Sequence, residues 1–68
     1  MKIVNEPPKT GEQFIVNWFD DGVAKSVAFR FHEGDDVFYY WSHTYEGWIY
    51  LSPIKESTYF DDKVIIVE

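Results

Sequence analysis

Two strand-like runs, QFIVNWF (Gln13–Phe19) and VAKSVAFRF (Val23–Phe31), are separated only by Asp20, Asp21 and Gly22. That juxtaposition limits the fold more than any other feature of the chain. Asp-Gly is the pair a tight hairpin favours, because glycine reaches positive φ with no Cβ clash and aspartate tolerates it. The flanking runs alternate with a period of two, so each reads as a strand. In the second, Val23, Val27, Phe29 and Phe31 share one face with Lys25, while Ala24, Ser26, Ala28 and Arg30 share the other. One face is core and the other is thin and polar.

The same punctuation continues. HEGDD (His32–Asp36) leads into VFYYWS (Val37–Ser42), and HTYEG (His43–Gly47) leads into WIYLS (Trp48–Ser52), which Pro53 ends. KVIIVE at the C-terminus is a β-branched strand, and Met1–Val4 is a further candidate before Pro7 and Pro8 stop pairing. Helical periodicity is not evident, although Ile54–Phe60 has room for one helical turn. The expected fold is a single all-β or β-rich domain over residues 1–68, either a small antiparallel twisted sheet or an SH3-like barrel of five to six short strands.

VFYYWS is aromatic on both faces: Val37, Tyr39 and Trp41 alternate with Phe38 and Tyr40. It has no plain solvent side. Rings left in water would form a patch that soluble monomers rarely carry, so Phe38, Tyr40, Trp41 and Trp48 are candidates for a dimer contact or a binding groove, with a homodimer expected. The competing reading folds them under the Pro53–Phe60 segment of the same chain.

Twelve acidic residues face six basic ones, a formal net charge of -6, and there is no cysteine. Disulfides and thiolate metal clusters are excluded, and reducing cytosol is the expected compartment. MKIVNEPPKTGEQ lacks the apolar stretch of a signal peptide, and no apolar run approaches the ~18 residues of a membrane span. The charge repels the phosphate backbone, so direct nucleic-acid binding is not expected; basic proteins are the natural partners. Acidity also simply keeps a small domain soluble.

Catalysis finds little support. Asp20-Asp21, Asp35-Asp36 and Asp61-Asp62 fall at turns, where neighbours do not converge as carboxylate dyads do. His32 and His43 would have to meet across a hairpin to bind metal with Asp35 or Asp36, a spacing with no specificity. Ser42 and His43 are sequence neighbours and diverge on a strand, and no phosphate-cradling glycine loop is present. The expectation is a protein that is not an enzyme and uses no metal or cofactor.

From Phe31 to Ile54 there is no lysine and no arginine, whereas Glu33, Asp35, Asp36 and Glu46 all lie in that interval. Oligonucleotide-binding aromatic surfaces need cations beside the rings, so this one fits a cationic protein better. In size, charge and lack of cysteine, and through no motif, the chain resembles the small acidic proteins with which bacteriophages disable host factors, some of them DNA mimics. That resemblance implies residence in the bacterial cytoplasm and inhibition of a basic nucleic-acid-binding protein, for example a histone-like nucleoid protein, by occupation of its DNA-binding surface. Candidate phosphate positions are Asp20, Asp21, Glu33, Asp35, Asp36, Asp61 and Asp62, and Glu46 joins them as a candidate partner-binding residue. B-DNA carries one charge per ~1.7 Å of axis, so a net charge of six matches about 10 Å of duplex and a dimer about 20 Å. The alternative is an SH3-like or Tudor-like module that holds a basic or proline-rich peptide in an aromatic groove.

Overall fold

The hairpins read from the sequence assemble into one antiparallel sheet. A computed structural model describes residues 1–68: β1 (Lys2–Val4), β2 (Phe14–Asp20), β3 (Val23–His32), β4 (Val37–Ser42), β5 (Gly47–Tyr50), α1 (Pro53–Tyr59) and β6 (Val64–Val67). The strand order is β1-β6-β2-β3-β4-β5. Strands β2 to β5 form a meander; α1 then carries the chain back, and β6 inserts between β1 and β2. The outer strands β1 and β5 do not pair with each other, so the twisted sheet is open and the barrel alternative is not adopted.

Turn chemistry sets the hairpins. Asp21 (φ 51°) and Gly22 (φ 78°) form the two-residue loop closed by the Asp20↔Val23 pair, both with the positive φ of a type I′ turn. The next two loops have four residues each and end in a left-handed residue, Asp36 (φ 56°) and Glu46 (φ 52°). Each is braced by a side-chain acceptor at the strand end: the Asp35 N–H donates to His32 Nδ1 at 3.2 Å and the Tyr45 N–H to Ser42 Oγ at 3.3 Å. Glutamate has none of glycine's freedom at positive φ. Glu46→Gly is therefore expected to stabilise the fold by about 0.5 to 1 kcal/mol, a rise of a few degrees in thermal midpoint.

One face of the sheet holds the core. Phe14, Val16, Phe29, Phe31, Phe38, Leu51, Ile65 and Val67 are buried, the alternate residues of β2, β3, β4 and β6 with one addition from the segment after β5. Phe60, which follows α1, closes over them: its ring lies 5.1 Å from Phe38, 5.4 Å from Phe29 and 6.1 Å from Phe14.

Where one helical turn had room, α1 makes about two, with Pro53 in its first turn and the Glu56 N–H donating to the Ser52 carbonyl at 2.8 Å. Pro53 thus starts a helix as well as ending a strand. No residue of α1 is fully buried, and its hold on the sheet comes from its last ring, Tyr59, together with Phe60. Apolar periodicity is therefore nearly absent from it.

Burial raises the Tyr59 phenol above its ordinary value near 10, with a smaller contribution from Tyr40. A raised phenol adds stability that is complete below the unfolded pKa and is lost as pH rises through the folded one. Thermal midpoints measured between about pH 8 and 11 should hold steady and then fall above ~10, and Tyr59→Phe should lessen the fall.

Candidate functional site

All eight candidate carboxylates are exposed, and the topology sorts them into two groups. Asp20 and Asp21 lie at the β2–β3 turn, Glu46 at the β4–β5 turn, and Asp61 and Asp62 just before β6; the Asn17↔Val64 pair puts the start of β6 beside the end of β2. These five share one end of the sheet. Glu33, Asp35 and Asp36 sit in the β3–β4 turn at the other end. Between the ends run the ten residues of β3, roughly 30 Å at ~3.3 Å per residue. Asp21, Asp36, Glu46 and Asp62 all have positive φ, so backbone conformation aims four of the eight.

The carboxylates are not neutralised from within. The sole ion pair within 4.0 Å is His32 Nδ1 with Asp35 Oδ2, at 3.6 Å, and no lysine or arginine pairs with an acidic side chain. Three of the six basic side chains lie over rings instead: Lys9 over Phe31 at 5.8 Å, Arg30 over Trp48 at 4.5 Å, and Lys63 over Tyr59 at 4.4 Å and Trp18 at 5.4 Å. Lys63 also donates to the Tyr59 carbonyl at 2.6 Å. This diversion of cations onto rings was not legible in the sequence, since Arg30 and Trp48 meet only through the pairing of β3, β4 and β5.

Asp35 differs from the other seven. Its Oδ2 accepts the Tyr39 hydroxyl at 2.7 Å, a contact that raises the Tyr39 phenol above its ordinary value because the neutral phenol is the form that donates. Asp35 thus supports its turn. The spacing of four residues across a hairpin loop was the available signal.

The candidate ring residues do not form one groove. Phe38 is 1% exposed and belongs to the core, so it presents nothing to a partner. Tyr40 lies on the α1 side, in an apolar cleft of about 350 Å³ with Trp18, Val27, Leu51, Lys55 and Tyr59. Trp41 and Trp48 lie on the opposite face as an edge-to-face pair at 5.6 Å. The Pro53–Phe60 segment covers one aromatic face of β4 and leaves the other open.

His32 ends β3 and His43 opens the β4–β5 loop, at opposite ends of the sheet with the whole of β4 between them, and no group of three His, Asp or Glu side chains is arranged to hold a metal ion. Ser42 Oγ serves its turn as an acceptor. The largest depression, about 740 Å³ between residues 5–9 and α1, is lined by Glu6, Lys9, Glu56, Ser57 and Asp61 among others and by no histidine. Ser57 Oγ there donates to the Ile54 carbonyl at 3.0 Å. No helix is long and apolar enough to cross a membrane. No protein-family model, curated protein or solved structure matches the chain.

Proposed function

We propose that the chain is a non-enzymatic acidic binding domain that inhibits a basic DNA-binding protein by occupying its DNA-contacting surface. The observation that carries this reading is the set of carboxylates left without lysine or arginine partners and gathered at the two ends of one sheet. An acidic surface neutralised by its own lysines steers nothing; this one keeps its field. The separation also fits. Roughly 30 Å between the acidic ends is close to the ~34 Å after which a duplex repeats its phosphates on one side. Histone-like nucleoid proteins, basic and bacterial, are partners of the kind the chain would meet as a phage product.

The peptide-groove reading has the cleft beside Tyr40 in its favour, a ring-lined space at the small end of ligand pockets. It is the weaker of the two. A cage for a cationic peptide needs vacant ring faces, and Trp18 and Tyr59 already carry Lys63, with Lys55 also lining the cleft.

Competition between the chain and duplex DNA for a purified histone-like nucleoid protein tests the proposal. Mutually exclusive binding that weakens steeply with salt is expected, and binding undiminished by saturating duplex excludes mimicry.

A further inference from the structure

The sheet face opposite α1 has no cover within the chain, and its composition follows from the register. Ile3 pairs with Ile66, Ile66 with Ile15, and Ile15 with Ala28, so an aliphatic row crosses four strands. The face continues on β4 and β5 as Trp41 beside Trp48 and Tyr39 beside Tyr50. No strand residue on this side is acidic. Its one lysine or arginine, Arg30, is stacked on Trp48.

Area and charge both indicate what covers it. The chain exposes 5064 Å², against about 4,500 Å² for a compact monomer of its mass, an excess on the order of 600 Å² that approaches the ~800 Å² each partner buries in a standard interface. A basic partner is drawn to carboxylates, which lie at the ends of the sheet and not on this face. A second copy of the same face fits it better: its strands carry no carboxylate, its one strong cation, Arg30, is already held over Trp48, its other polar strand residues are Asn17, Ser26 and His32, and stacking two such faces leaves the acidic turns at the rim, in water, where like charges are screened.

We propose that a second copy of this chain covers the face, the two sheets packing through their open sides as a two-fold sandwich about 10 Å apart. The pairing uses the open face, which a carboxylate reaches only at its edge, where Asp35 accepts the Tyr39 hydroxyl, and the DNA-mimic reading uses the acidic ends, so either can fail alone.

Sedimentation equilibrium of the full chain from about 1 to 100 μM tests it, with twice the 8.1 kDa chain mass expected at the upper concentrations. Ile15→Lys and Ala28→Lys, placed on the open face and checked for native circular dichroism, should raise the dissociation constant at least about tenfold. Tyr45→Lys, in an exposed turn, should leave it unchanged. A wild-type monomer at ~100 μM overturns the proposal, whether its open face then takes up phosphatidylcholine vesicles or some other protein. A dimer indifferent to both face substitutions overturns it equally. Should those variants not fold, acrylamide quenching of the wild type decides: Trp41 and Trp48 must become more accessible on dilution through the dissociation range, and unchanged quenching there is the negative result.

Discussion

Phe29→Ala is expected to leave the chain largely unfolded at room temperature. Phe29 is 1% exposed and its ring meets Tyr59 at 5.3 Å, Phe60 at 5.4 Å, and Phe14 and Tyr40 at 5.8 Å each. It meets both of the rings, Tyr59 and Phe60, that fasten the α1 segment to the sheet. Truncating such a ring costs about 3 to 5 kcal/mol, and a core in a chain this short supplies only about 3 to 5 kcal/mol in all. The two are equal in size, so the folded population collapses. Phe29→Leu retains most of the volume and should fold with a loss of about 1 to 2 kcal/mol, while Tyr45→Ala, at a turn position 77% exposed, should stay within about 0.5 kcal/mol of the parent. Urea titration by circular dichroism, at one fixed protein concentration, orders the three. A cooperative transition for Phe29→Ala within about 1 kcal/mol of the parent would show that the helix side does not close the core.

Neutralising one acidic end of the sheet should weaken binding to a histone-like nucleoid protein by at least about tenfold, through slower association. The substitutions are Asp20→Asn, Asp21→Asn, Glu46→Gln, Asp61→Asn and Asp62→Asn made together. Asparagine tolerates the positive φ of Asp21 and Asp62, so the turns are preserved while the charge is removed. Glu33→Gln with Asp36→Asn performs the same operation at the other end and spares Asp35, whose carboxylate holds the Tyr39 hydroxyl. If each end contacts a separate stretch of the partner's DNA groove, each set lowers affinity and flattens the salt dependence, and the two together do so nearly additively. Stopped-flow association rates across a salt series measure both. A set that changes neither rate nor salt slope assigns its carboxylates to turn formation and solubility, and a dominant loss from Tyr40→Ala or Trp18→Ala would favour the peptide cleft.

Strand positions and turns were legible because they are local. The alternation in VAKSVAFRF marks the buried Phe29 and Phe31, and Asp-Gly marks the β2–β3 hairpin, without reference to any distant residue. The acidic pairs were legible as turn residues for the same reason, and four acidic residues, three of them from those pairs, occupy left-handed backbone positions. The extent of α1 was not legible: a short helix that buries no residue fully, and is held by one ring near its end, leaves almost no periodic trace. The ring candidates illustrate the same limit. Alternation placed Phe38 and Tyr40 opposite Trp41, but which side would be covered depended on where the segment after β5 would land.

An antiparallel β fold, the phase of each strand's two faces, and an excess of acidic over basic residues were all readable from the chain, because each follows from residue type and spacing within a few positions. Tertiary contacts were needed to place β6 between β1 and β2, to leave the sheet open, to seal one face with Phe60 while Ile15, Ile66, Trp41 and Trp48 stay on the other, and to set Lys9, Arg30 and Lys63 over rings. Those outcomes depend on contacts between residues far apart in the chain. A period-two pattern states that a strand has two faces; only the packing of the whole chain states which of them is covered.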